Sequence, residues 1–277
     1  MSAGQIALLG AIAGLTIFLG LPLGRLRSPM PKAKAFLNAT AIGILIFLLW
    51  DVLDNAWKPA DEALGHHQYG SAVVNGAVML GCLGAALIGL VYFDRWIARR
   101  GRAAARAARP EGPGAAVAAQ ARVARSPASQ LSMLIAVGIG LHNFGEGLAI
   151  GNSAAAGELS LALLLVIGFG AHNATEGFGI VAPLAAGAER PSWGRLWLLG
   201  LIGGGPTFLG TLVGQAVTND LLSIAFLALA AGSILYVVIE LLAVARKMAL
   251  KEITTWAILL GIALGFITDA LVSAGGA

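Results

Sequence analysis

The chain has 277 residues, 58% of them hydrophobic and only 12% charged, with a mean hydropathy of +0.83. That balance excludes an ordinary soluble domain and a disordered chain, and reads as an integral membrane protein. The net charge of +4 and the pI of about 9.6 do not point to nucleic acid, because the basic residues flank apolar runs, where anionic membrane lipid is the natural partner.

In chain order, windows of about 20 apolar residues, enough for a helix to cross a hydrocarbon core of about 30 Å, fall at about 4–24, 36–57, 70–93, 131–151, 158–182, 194–218, 221–245 and 254–274. The runs are continuous rather than alternating, so an all-α membrane protein with eight transmembrane helices is expected, not a barrel. The first run starts almost at Met1 without a basic leader or small-residue cleavage site, which predicts a retained helix. Residues 1–94 thus carry helices one to three, and 131–277 carry helices four to eight. Between them, 95–130 is low in complexity and broken by Pro110, Pro113 and Pro127, as expected of a basic, flexible cytoplasmic loop.

Eight spans place alternate connections on opposite sides. Seventeen of the eighteen Lys and Arg residues then fall on one side, including Arg25, Arg95, Arg195 and Lys247; Lys58 alone falls on the other, with Asp61, Glu62, Glu158 and Asp220. Positive charge stays in the cytoplasm, so both termini are expected outside, in a multi-pass protein of the cell membrane.

Self-similarity runs through the chain. "FLGLPLG" (Phe18 to Gly24) matches "FLGTLVG" (Phe208 to Gly214), and Ala41, Gly43, Asp51, Leu53 and Ala56 match Ala230, Gly232, Glu240, Leu242 and Ala245 in register. The matched spans run in opposite directions, which suggests an inverted repeat of three helices flanking a central pair, a 3+2+3 plan that recurs in secondary transporters.

The central pair carries the chemistry. "GLHNFGEGLAIG" and "GAHNATEGFGI" share G-x-H-N-x-x-E-G-x-x-I. Residues i and i+4 share a helical face, so His142 and Glu146 point the same way with Asn143 about 100° round, and His172, Glu176 and Asn173 repeat this. Facing helices would converge two imidazoles, two carboxylates and two amides. Imidazole nitrogen and carboxylate oxygen suit Zn²⁺ and other divalent first-row metals, with amide oxygen a weaker donor. Two ionised carboxylates inside a bilayer cost about 5–7 kcal/mol on insertion scales, which a cation or shared protons must offset. Gly140, Gly147, Gly170 and Gly177 are assigned to close helix packing.

Asp51 and Glu240, related by the repeat, are accessory candidates: second-site ligands, relays along a metal path, or interfacial carboxylates. Asp269 is a weaker one. His66 and His67 sit in an acidic outer loop that reads as a solvated face. Cys82, the one cysteine, excludes an intramolecular disulfide.

Eight spans with outward termini, a variable loop after the third, and H-N-x-x-E-G on the fourth and fifth resemble the ZIP family of divalent metal transporters, in its bacterial branch. The resemblance implies a primary metal site of His142, Glu146, His172 and Glu176, with Asn143 and Asn173 in an adjacent one. It also implies a homodimer in which spans one, four, five and six move against two, three, seven and eight like an elevator. Relatives commonly have proline just before each glutamate, where this chain has Gly145 and Thr175. They often place glutamate before the proline of the sixth span, here Gly205, and histidine near the outer end of the second, where Asp51 stands.

The expected function is secondary transport of divalent cations into the cytoplasm, Zn²⁺ first, with Fe²⁺, Mn²⁺, Co²⁺, Ni²⁺ and Cd²⁺ open, and with no organic cofactor and no enzymatic activity. No G-x-x-x-x-G-K-[ST] motif points to ATP. Two competing readings are a membrane di-iron carboxylate oxidoreductase, which favours Glu-x-x-His rather than His-x-x-x-Glu, and a metal-binding membrane protein that does not transport.

Overall fold

The computed structural model describes residues 1–25, 31–107, 127–157, 159–186, 190–216 and 219–274, and every regular element among them is helical. The long helices are α1 (Ala3–Leu15), α2 (Pro31–Gly65), α3 (Tyr69–Ala107), α4 (Pro127–Ala155), α5 (Leu159–Ala186), α6 (Trp193–Gly214), α7 (Asp220–Met248) and α8 (Lys251–Ala274). Past Thr16, α1 continues through a short turn of helix (Ile17–Gly20) and a 3₁₀ turn (Leu21–Arg25). Each holds one of the expected apolar windows. Seven spans are long and apolar enough to cross a membrane, and α5, at 28 residues, exceeds the roughly 20 that a crossing needs.

Local chemistry sets several ends. Ser2 and Gln5 form a reciprocal capping box at the start of α1, and Ser192 and Asn219 accept backbone N–H groups at the starts of α6 and α7, satisfying donors a helix leaves free.

The segment expected to be a flexible loop from residue 95 begins instead as helix. α3 runs on through Ala107, because its arginines and alanines are strong helix formers and no proline intervenes. α4 opens on Pro127, a position where a missing N–H costs nothing. The rest of that expected loop, 108–126, lies outside the described residues, as does Glu158.

The helices pack as two sets. α1, α4, α5 and α6 lie against one another, and α2 packs on α3, α7 and α8 while α3 packs on α7. Within each set, backbones approach without intervening side chains. A Cβ on Gly14 would strike the Gly204 carbonyl oxygen and one on Gly204 that of Gly14; Gly43 and Gly261 oppose each other across α2 and α8; and Gly232 faces the Leu83 carbonyl across α7 and α3. Small residues permit such contact where lipid supplies no hydrophobic driving force between helices.

The sets meet chiefly where α4 packs on α7 and α2 on α5. There glycines meet side chains rather than backbone: a Cβ on Gly138 would come within 2.8 Å of Val237 Cγ2, whereas two other positions have room. A Cβ on Gly145 would come no closer than 4.0 Å to Ala230 Cβ, and one on Gly179 no closer than 3.8 Å to Ala41 Cβ.

Candidate metal centre

One turn of α4 carries His142, Asn143 and Glu146, and the matching turn of α5 carries His172, Asn173 and Glu176. His142 Nε2 stands 2.9 Å from Glu146 Oε1 and 3.8 Å from Glu176 Oε1, while His172 Nε2 meets the same Glu146 oxygen from across the helix pair. One atom each from His142, Glu146 and His172 lies within 4.8 Å of the other two. The two imidazole centroids are 6.2 Å apart.

These groups are deeply placed: His142, Glu146 and Glu176 are buried and His172 is partly open. Glu146 Oε2, both Glu176 carboxylate oxygens and His142 Nδ1 are buried outside hydrogen-bonding geometry. An unpaired buried polar atom costs about 1–3 kcal/mol, and a charged one more. Imidazole nitrogens and carboxylate oxygens left this way are the donor set a hard-to-borderline divalent cation takes up.

The asparagines sit one layer behind. Asn143 Nδ2 donates to the Gly203 carbonyl of α6 at 2.9 Å, and Asn173 Nδ2 to the Ala13 carbonyl of α1 at 3.1 Å; each Oδ1 is left without a hydrogen bond. In the register that aligns Phe18–Gly24 with Phe208–Gly214, Ala13 falls on Gly203, so the two asparagines of the doubled motif bond to positions that the sequence match pairs. The same holds for packing. A Cβ on Gly147 would strike the Thr207 carbonyl and one on Gly177 that of Ile17; Gly210 faces the Phe144 carbonyl and Gly20 that of Ala174.

Where relatives carry proline, α4 and α5 run unbroken. Thr175 Oγ1 donates to the His172 carbonyl at 2.7 Å, and Gly145 lies at the seam with α7. Without proline every backbone donor there is kept, which removes the usual cause of a kink. A Cβ on Gly205 would meet nothing within 4 Å.

A cavity of about 610 Å³ reaches the cluster, lined by His142, Glu146 and His172 at its inner end and by Asp51, Asn55 and Lys58 along α2. Its walls come from the C-terminal halves of α2, α4 and α8 and the N-terminal halves of α5 and α7, so it opens at the end of the bundle where the basic residues are few. Beyond the cluster, toward the other end, Leu134, Ile135, Ile139, Ile180 and Leu241 are buried together. There Arg25 donates to the Pro191 carbonyl with its guanidinium 4.6 Å from the Trp193 ring centroid, and Arg195 donates to the Ser129 carbonyl at 2.8 Å.

The two accessory candidates part ways. Asp51 lines the cavity with the cluster, whereas Glu240 does not and lies within electrostatic range of Asp94 and Lys247. Sequence reasoning paired His142 with Glu146 along one helix but missed that His172 also meets Glu146. It missed Asn55 too, which stands one turn past Asp51 and donates to its Oδ1 at 3.2 Å; the i, i+4 spacing was the available signal.

Apolar helices long enough to span a bilayer, enclosing a buried group of imidazoles and carboxylates, define a multi-pass membrane protein with metal-ligand chemistry in its interior. The family model described as ZIP Zinc transporter matches residues 102–269, more than half of the chain, and the chain belongs to this family of divalent metal transporters. A comparison with curated proteins gives no match.

Proposed function

We propose that the protein carries divalent cations, Zn²⁺ first, from the end with few basic residues to the basic end, through a site made by His142, Glu146, His172 and Glu176. The observation that carries this reading is the placement of free, buried donor atoms at the inner end of a cavity open to one side. A hydrated cation entering the cavity exchanges water for imidazole nitrogen and carboxylate oxygen. Asn143 and Asn173 hold α6 and α1 by their amide N–H groups and keep an acceptor oxygen in reserve beside the glutamates.

The repeated contacts described above support a 3+2+3 inverted repeat. The charge distribution supports termini outside and the basic ends in the cytoplasm of a cell-membrane protein. Glycine-on-backbone packing within each helix set, against side-chain contacts between them, supports an elevator-like movement of α1, α4, α5 and α6 against α2, α3, α7 and α8. The family resemblance implies a homodimer; α3 offers an outward face for it, with Val73, Leu80 and Ile88 exposed and open space over Gly81 and Gly84.

Uptake of Zn²⁺ into sealed proteoliposomes tests the reading. Glu146→Ala is expected to lower uptake at least about a hundredfold while the detergent-solubilised protein stays monodisperse, since this carboxylate meets both imidazoles. Undiminished uptake would remove the site from the transport path. Wild-type uptake is expected to fall as the pH drops from about 8 to 5, because protons compete with metal for imidazole and carboxylate. A flat profile would contradict competition at these ligands. Zinc flux rather than oxygen consumption separates the transporter from an oxidoreductase, and a competition panel of Fe²⁺, Mn²⁺, Co²⁺, Ni²⁺ and Cd²⁺ ranks the cargo.

A further inference from the structure

The cavity that leads to the cluster holds a fixed cation of its own. Lys58 is the single Lys or Arg on its side of the expected topology, and it lines the cavity together with Asp51, Asn55 and Asp269. Its ammonium lies 3.4 Å from Asp54 and donates to Asn55 Oδ1 at 3.0 Å, and Asn55 in turn donates to Asp51. Asp51 feels the charges of Asp269, Lys58, His142 and His172. A polar ladder therefore climbs one face of α2 from the cavity mouth toward the cluster. Its outermost rung, Lys58, is half-exposed, so the pair it makes with Asp54 is weak and displaceable.

The repeat makes a local accident a poor explanation. Extending the register that matches Asp51 with Glu240 brings Lys58 onto Lys247. Glu240 feels Asp94 and Lys247 as Asp51 feels Asp269 and Lys58. In both cases a carboxylate, a lysine seven residues on, and an aspartate from the helix packed alongside recur together: α2 with α8, and α7 with α3.

We propose that Lys58 is a tethered counter-cation of the entry cavity: its ammonium balances the acidic lining when no metal is present and, by repelling arriving divalent cations, sets the apparent affinity for them. It is a positioning residue that acts through Asn55 and the cavity field and does not ligate the cargo. This rests on the transport reading given above. A divalent cation about 8 Å from an exposed unit charge in a water-like dielectric changes its occupancy about fivefold, and salt screens such an interaction over about 10 Å at 0.1 M.

The test is initial-rate Zn²⁺ uptake by proteoliposomes containing the wild type, Lys58→Gln, Lys58→Arg and Glu146→Ala. Lys58→Gln is expected to lower KM about fivefold at low ionic strength with Vmax within about twofold, and the gap is expected to narrow at high salt. Lys58→Arg, which keeps the charge, is expected to keep the wild-type KM. An unchanged KM in Lys58→Gln, or a fall in Vmax with KM unmoved by charge or salt, overturns the proposal and leaves Lys58 a structural residue of α2. If the wild type shows no saturable uptake, or Glu146→Ala matches it, the transport reading fails and this inference falls with it. If those two controls behave and only the lysine result is negative, the inference alone is wrong.

Discussion

The seams inside the two helix sets and the seam between them are built from different material. Inside the sets, glycines press against carbonyl oxygens: Gly14 on Gly204, Gly147 on Thr207, Gly43 across from Gly261. Between the sets, glycines face side chains instead: Gly145 and Gly179 meet alanine methyl groups at ordinary van der Waals distance, and a Cβ on Gly138 would come within 2.8 Å of Val237 Cγ2. Bonds follow the same division. Asn143, Asn173 and Arg195 join helices of the first set and Asn38 and Asn75 those of the second, while Ser233 of α7 reaches across to the Gly138 carbonyl of α4 at 2.8 Å. A contact locked by backbone has one register. A contact of small side chains tolerates sliding. The His/Glu cluster belongs wholly to the first set, and Asp51, Asn55 and Lys58 to the second, so movement of one set would carry the cluster past a fixed cavity wall.

The strongest way to break this comparison is to bolt the seam between the sets. The distance of 4.0 Å between a Gly145 Cβ and Ala230 Cβ lies in the range a disulfide requires. Oxidising a Gly145→Cys, Ala230→Cys double variant is expected to stop Zn²⁺ uptake, and reductant to restore it. Full uptake by the oxidised protein, with the crosslink confirmed by mass, would show that the seam does not slide.

A smaller contrast compares stabilities. Gly147→Ala forces a methyl group onto the Thr207 carbonyl, and overpacking of this kind costs about 1–3 kcal/mol; Gly145→Ala meets only Ala230 Cβ at ordinary contact distance and is expected to change stability by less than about 0.5 kcal/mol. Thermal unfolding in detergent measures both, and equal losses would erase the distinction between the seams.

Smallest is the effect of Ser233→Ala. One neutral hydrogen bond contributes about 1 kcal/mol, so its loss is expected to shift the balance of conformations about fivefold toward the closed cavity. Labelling of a Thr175→Cys probe in the cavity wall reads that shift as slower modification. An unchanged labelling rate would make Ser233 a packing residue.

The division between what could be read from the letters and what could not follows the range of the interactions. Apolar windows located the helices because a bilayer requires about 20 such residues in a row. The i, i+4 spacing put His142 with Glu146 because a helix fixes that pairing. The meeting of His172 with Glu146 depends on how α4 and α5 pack, which no local spacing encodes. Glu240 shares its register with Asp51 yet does not line the cavity, and it lies instead within electrostatic range of Asp94 and Lys247. The helical tail of α3 was hidden by its loop-like composition, although alanine and arginine favour helix.

The central claim is that the two matched turns of α4 and α5 form one metal site, and X-ray absorption at the zinc edge on zinc-loaded protein tests it most directly. The account predicts a first shell of nitrogen and oxygen at about 2.0–2.1 Å with two imidazoles, and the loss of one imidazole in His142→Ala and again in His172→Ala. A shell without imidazole, or a spectrum unchanged in both variants, would contradict it.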